Sequence, residues 1–171
     1  MELSLSLYQL NFYPDCMTLS HRIKTIFSQA SESVDAILIK NASSPFIDST
    51  FFYVTGLKQG LFEGCTALLF PNGSFHLLVS SLEKPLVPSS IQATAFTKKA
   101  EFSDLLSNVL KDKQCIGLNT ASLLHDDYQV LKELLPDAEF VSVSNAIKSA
   151  RMIKDGEELD SIREACRIAD K

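Results

Sequence analysis

Residues 65–80 read CTALLFPNGSFHLLVS. Two apolar runs flank Pro71, Asn72 and Gly73. Asn-Gly between two such runs is a strong hairpin signal, because a tight turn needs residues that accept positive φ. The stretch therefore predicts two antiparallel strands. What surrounds it decides whether they belong to an all-β fold or to a sheet covered by helices.

Upstream, TLSHRIKTIFSQASES (residues 18–33) places Leu19, Ile23, Ile26 and Phe27 on one helical face, with Thr18 as its expected cap. VDAILIK (34–40) follows as a nearly continuous apolar run, which suits a strand buried on both faces. DSTFFYVTGL (48–57) reads two ways. Its β-branched and aromatic content favours a strand, whereas Asp48 and Gly56 could cap and close a short helix. Downstream, SSLEKPLVPSS (80–90) is a loop or a short helix broken by Pro85 and Pro88, and ATAF (93–96) is a short strand. EFSDLLSNVLKD (101–112) gathers Phe102, Leu105, Leu106 and Val109 on one helical face, and QCIGLN (114–119) is a strand. TASLLHDDYQVLKELLP (120–136) predicts a helix with a stripe of Leu123, Leu124, Tyr128, Leu131, Leu134 and Leu135, stopped by Pro136. AEFVSVS (138–144) is a strand, and the chain is helical from Ser144 onward, with a break near Asp155-Gly156. Strands alternating with helices, plus one hairpin, indicate an α/β domain: a mixed β-sheet flanked by helices.

The last helix raises a question of packing. Asp155 and Glu158 form an expected capping box. Leu159, Ile162, Ala165, Cys166 and Ala169 then recur at helical spacing among charged residues. A lone helix of about 16 residues is marginal in water unless its stripe is buried. It either packs back on the α/β domain or begins a second one. The expected division is an α/β domain over 1–143, a connecting helix over 144–154, and the first helix of a truncated further domain over 155–171.

Composition narrows the partners. The 171 residues carry a formal net charge of −5 and are 46% hydrophobic and 22% charged. That balance argues against nucleic acid, whose backbone calls for clustered Lys and Arg. Lys98-Lys99 reads as a solvated loop. No apolar run reaches the ~18 residues of a membrane span, and the N-terminus lacks the basic start of a signal peptide. There Leu3, Leu5 and Leu7 alternate with polar residues, as in a short strand or an ordered arm. Cys16, Cys65, Cys115 and Cys166 are widely spaced, as expected of buried free thiols in a cytoplasmic protein.

Few residues point to catalysis within the chain. His21, His76 and His125 are scattered. His125 adjoins Asp126 and Asp127, but successive helical residues diverge by about 100° and cannot face one ion together. No serine sits in a G-x-S-x-G elbow, and no phosphate-binding glycine motif occurs. The expectation is no catalytic residue and no metal site in this chain. The best functional candidate is GLKQGLFEGC (56–65), where glycines bracket Leu61, Phe62 and Glu63. Such a loop is either structural, with Phe62 folded inward, or functional, with its apolar residues turned out.

RMIKDGEELDSIREACRIADK (151–171) resembles the segment that joins the two domains of the creatinase/prolidase family, the pita-bread metallopeptidases. FFYVTGL (51–57) resembles the family's tyrosine-leucine-threonine-glycine stretch, GCTALLFPNGSFHLLVSSLE (64–83) its following hairpin, and IGLN (116–119) a later strand. Asn119 departs from the usual acidic residue and Gly156 from the usual proline. The likeness runs over roughly residues 18–171, carried by the order and spacing of the motifs. It implies the family's N-terminal domain, similar to a ribonuclease H-like sheet. It further implies a parent Xaa-Pro dipeptidase or aminopeptidase, acting on proline-containing peptides through two divalent metal ions such as Mn or Co. All their ligands would lie beyond this chain, which alone would be inactive. In the family these domains pair in a homodimer and the 56–65 region approaches the partner's active-site mouth. Leu61, Phe62 and Glu63 are thus substrate-mouth candidates. Two other readings share the fold: a non-catalytic peptide- or histone-binding module, and a creatinase-type amidinohydrolase.

Overall fold

The computed structural model describes residues 16–170. The expected strand or arm at residues 3–7 and the side chain of Cys16 lie outside the described residues. Six strands form one mixed sheet: β1 (Ala36–Lys40), β2 (Thr66–Leu69), β3 (Phe75–Ser80), β4 (Ala93–Phe96), β5 (Cys115–Leu118) and β6 (Glu139–Ser142). Their order across the sheet is β4-β3-β2-β1-β5-β6. The β1–β2 and β2–β3 pairs are antiparallel, and β3–β4, β1–β5 and β5–β6 are parallel.

The hairpin pairs Leu69 with Phe75 and Thr66 with Leu78. Gly73 turns it at φ 86°, and Asn72 Oδ1 accepts from Ser74 N at 2.9 Å. A Cβ on Gly73 would stand 2.2 Å from Ser20 Oγ and 2.9 Å from the Ser20 carbonyl, so glycine also lets the turn nest on the first helix.

Five helices cover both faces, α1 (Cys16–Gln29), α2 (Ser49–Thr55), α3 (Lys99–Leu110), α4 (His125–Leu134) and α5 (Ser144–Met152), and α6 (Gly156–Ala169) follows them. Strand alternation divides the core between them. Ile37, Ile39, Ala67, Leu69, Leu77 and Val79 meet α1, α2 and α5. Ala36, Leu38, Leu68, Leu78, Ile116 and Leu118 meet α3 and α4. The continuous apolar runs thus reflect burial on both faces.

The ambiguous 48–57 segment is a helix. Asp48 accepts from Thr50 N at its start, and Gly56 ends it at φ 68° with its N–H on the Phe52 carbonyl. Local capping outweighs strand propensity here. Some helix starts differ from expectation. The first helix already includes Cys16, so Thr18 lies inside it and is not its cap. The helix expected from residue 120 begins at His125. Ser122 and Leu123 N–H groups turn back to the Asn119 carbonyl, and Ser144 Oγ takes the Ala121 N–H, holding 119–124 as a turn. Lys98 and Lys99 lead into α3, where Glu101 accepts from the Thr97 and Lys98 N–H groups.

The segment read as a connector packs into the domain: Ala146, Ile147 and Ala150 of α5 join the core beside α1. Residues 153–155 separate it from α6. The Asp155–Glu158 capping box forms as expected, with N–H···O distances of 2.9 and 3.1 Å. No residue of α6 is buried. Leu159 and Ile162 are 40% and 47% exposed.

Candidate functional site

The loop between α2 and β2 is fixed from beneath by buried polar groups. Asn41 is fully buried at the end of β1. Its Nδ2 donates to the Leu61 and Phe62 carbonyls at 2.8 and 2.9 Å. Its Oδ1 accepts from Asp48 N at 3.0 Å, and its carbonyl accepts from Gly64 N at 2.9 Å. From the other side, Glu83 Oε1 takes the Phe62 N–H, and Lys40 Nζ donates to the Gly64 carbonyl. Each is a charge-assisted bond, stronger than a neutral one. Phe62 sits at φ 50°, a costly angle for a residue with a Cβ, and these contacts hold it there.

The three mouth candidates separate. Phe62 is fully buried, its ring centroid 5.9 Å from that of Phe51 and 6.4 Å from that of Phe52. From this position the ring cannot touch a ligand; it anchors the loop. Leu61 is 56% exposed. Glu63 is exposed, and its Oε1 accepts from Ser44 N at 2.9 Å, tying the loop to residues 43–46. Gly60 is obligatory: its φ is 91°, and a Cβ there would meet Leu86 Cδ1 at 2.9 Å and the Phe62 ring at 3.0 Å.

The net extends across the sheet. Asn119, at the end of β5, donates to Asp48 Oδ2 at 2.8 Å, and its Oδ1 accepts from Ser144 Oγ at 3.0 Å. An amide here supplies the donor that Asp48 needs. Sequence reading marked Asn119 only as a departure and did not find Asn41 or Glu83, because polar residues at strand ends carry no signature of burial.

The thiols divide. Cys65 is buried, its pKa pushed up to about 12 chiefly by burial. Cys115 is half-buried and Cys166 exposed, against the expectation of uniformly buried thiols. His21 is exposed, His76 Nε2 lies 2.8 Å from Thr94 Oγ1, and His125 Nε2 lies 3.1 Å from Gln129 Nε2. Among the described residues no three His, Cys, Asp or Glu side chains converge as metal ligands.

A model of the creatinase/prolidase N-terminal domain matches residues 22–153. The chain belongs to this family. An Xaa-Pro dipeptidase of Pyrococcus horikoshii is 30% identical over 156 residues, 90% of this chain and 40% of its own. The fold is similar to that of an X-Pro aminopeptidase from Thermotoga maritima, with TM-score 0.70 and 20% identity over 80% of this chain and 38% of the other. A prolidase from P. horikoshii gives TM-score 0.66 and 27% identity over 89% of this chain and 40% of that one. The chain thus spans about two fifths of the length of the relatives it matches. The family's N-terminal fold accounts for the mixed six-stranded sheet. Among the described residues no helix is long and apolar enough to cross a membrane.

Proposed function

We propose that this chain is the N-terminal domain of a metal-dependent Xaa-Pro dipeptidase or aminopeptidase, where it contributes to a homodimer interface and restricts substrate length. The observation that carries the reading is the 30% identity to an Xaa-Pro dipeptidase across 90% of the chain. The chemistry of such an enzyme is activation of water and polarisation of the carbonyl by two divalent ions, such as Mn or Co. The described residues do not fit that metal pair, since they bring together no set of three candidate ligands.

The role left to this chain is shape. Leu61 and Glu63 project from a loop held rigidly by Asn41, Glu83 and Phe62. In a dimer they would offer an apolar contact and a carboxylate to a short proline-containing peptide approaching from outside. Residues 144–154 would pass the chain from this domain to a catalytic one that α6 begins, in a cytoplasmic enzyme. The test is a pair of proteins: residues 1–171 alone, and the protein extended through its downstream reading frame. With Mn²⁺ or Co²⁺, the extended protein should cleave Xaa-Pro dipeptides and the 171-residue chain should not. An extended protein that binds peptide or histone without turnover, or hydrolyses creatine, would replace the reading.

A further inference from the structure

On the sheet face away from the candidate loop's aromatic anchor, a cavity of about 270 Å³ lies between the strands and helices α3 and α4. An apolar cavity of about 150 Å³ holds benzene, so this one admits a somewhat larger molecule. Its walls include Leu38, Phe96, Phe102, Val130 and Leu131. Its floor is polar. Lys40 and Thr66 are opposite each other in the β1–β2 register, and both line the cavity. Thr66 is fully buried, and its Oγ1 has no hydrogen-bond partner. A buried hydroxyl left unpaired is costly and calls for an explanation.

Lys40 is the second unusual group. Its ammonium gives one bond to the Gly64 carbonyl and lies 4.3 Å from the centroid of the Phe102 ring. Among the described residues no carboxylate forms a salt bridge with it. Desolvation by burial pushes its pKa down, and the opposing pull of the Asp127 carboxylate does not outweigh it. The other charged residues of the lining are Lys99 and Asp127. Two lysines against one aspartate make the cavity positive in a chain of net charge −5. Nothing in this arrangement draws on the metallopeptidase reading, and neither Leu61 nor Glu63 lines the cavity.

We propose that this cavity binds a small organic carboxylate with an apolar body, its carboxylate taken by the Lys40 ammonium and the Thr66 hydroxyl, and its body by Phe96, Phe102 and Leu131. The ligand supplies the acceptor that the Thr66 hydroxyl lacks and a carboxylate in direct contact with Lys40, which Asp127, acting on it only at a distance, does not provide. The apolar walls restrict the ligand to one with a hydrocarbon or aromatic body. Lys40 also holds Gly64, so an occupant shares its cation with the end of the candidate loop.

The experiment titrates the 171-residue chain with 4-methylpentanoate, followed by backbone amide chemical shifts. Saturable shifts in β1, β2, α3 and α4 are expected. The neutral 4-methylpentanamide and the tailless acetate should each bind at least about tenfold more weakly, as loss of a charge-assisted contact or of the buried body requires. Lys40→Met should weaken the acid by a similar factor and Thr66→Val by a smaller one, with folding checked by the unchanged spectrum elsewhere. Absence of saturable shifts at millimolar acid would overturn the proposal. So would equal binding of acid and amide by the unaltered protein, a comparison that needs no variant to fold.

Discussion

Phe62 shows how one side chain can look like a ligand contact in sequence and act as an anchor in the fold. Glycines bracket it, which suggests an exposed loop tip, yet its ring is fully buried against Phe51 and Phe52. Phe62→Ala should therefore cost about 3–5 kcal/mol, the range for truncating a buried aromatic residue. In a catalytically competent longer protein, it should change kinetics per folded molecule little beyond what a loosened Leu61 and Glu63 produce. A substitution that leaves the melting temperature unchanged but alters substrate handling would show that the ring turns outward. Asn119 makes the complementary case. Asn119→Asp would set two carboxylates at the 2.8 Å now spanned by a hydrogen bond to Asp48. One of the pair must then keep a proton to fold well, so the variant's folded state holds a proton that the unfolded chain releases. Its stability should fall as pH rises through and above the ordinary carboxylate range and recover toward acid. Urea unfolding of both proteins at about pH 4.5 and 7.5 reads the difference, expected to be about 1–3 kcal/mol larger at the higher pH.

Among the elements, the junction before α6 rests on one ion pair. Arg22 is nearly buried on α1, and its Nε and Nη2 both reach Asp155 Oδ2, at 2.8 and 2.6 Å. Its Nη1 donates to the Tyr53 carbonyl at 3.1 Å, and the guanidinium lies over the Tyr53 ring, 4.9 Å from its centroid. For Asp155, burial alone pushes the carboxyl pKa up. The Glu158 N–H and the Arg22 guanidinium outweigh it and hold the pKa below the usual carboxylate range. A depressed acid contributes stability that is present above its unfolded pKa and is lost as pH falls through the folded value. Docking of the 153–158 segment should therefore loosen in acid, below about pH 4, seen as faster exchange of the Glu158 amide before the sheet melts. Asp155→Ala should do the same at neutral pH, and it leaves Arg22 nearly buried without its partner. The expected cost, about 1.5–3 kcal/mol, is that of hydrogen bonds to a charged group. This pair spans 133 residues and had no trace in the sequence. The capping box beside it was legible, because Asp155 and Glu158 are three residues apart. Local chemistry of that kind also makes the 48–57 segment a helix, through Asp48 and Gly56, where the sequence leaves strand and helix both open. The start of α4 is not legible locally, because Ser144, far along the chain, takes the Ala121 N–H and holds 119–124 in a turn.

For the molecule as a whole, the sheet was readable because its central strands β1, β2 and β3 are short apolar runs between turn residues, buried on both faces, while the edge strands β4 and β6 are only partly covered. The site was less readable. Glycine spacing points to Leu61, Phe62 and Glu63 as candidates, whereas Asn41, Glu83 and Lys40 have partners that only the folded sheet brings near, and the burial of Thr66 likewise has no mark in the sequence. The same contrast sets the weight of α6. Its capping box and its Arg163–Asp160 and Arg167–Glu164 ion pairs are local, and its apolar residues Leu159, Ile162 and Ile168 remain exposed. Exposed pairs of this kind stabilise a helix by only a few tenths of a kcal/mol each, far less than burial of its stripe would, at roughly 1.5–3 kcal/mol per aliphatic side chain. In dilute solution the amides of residues 156–169 should thus exchange much faster than those of AILIK (36–40) or FHLLV (75–79). A chain ended after Asp155 should keep the same protected strands and nearly the same melting temperature, because it loses no buried side chain and retains the Arg22 partner. At high concentration, residues 156–169 should gain protection if their apolar stripe pairs with a second copy, and the shortened chain should lose that concentration dependence. Protection of α6 equal to that of the core strands in a demonstrated monomer, or collapse of the sheet on its removal, would mean that the helix is part of this domain's stability and not an extension from it.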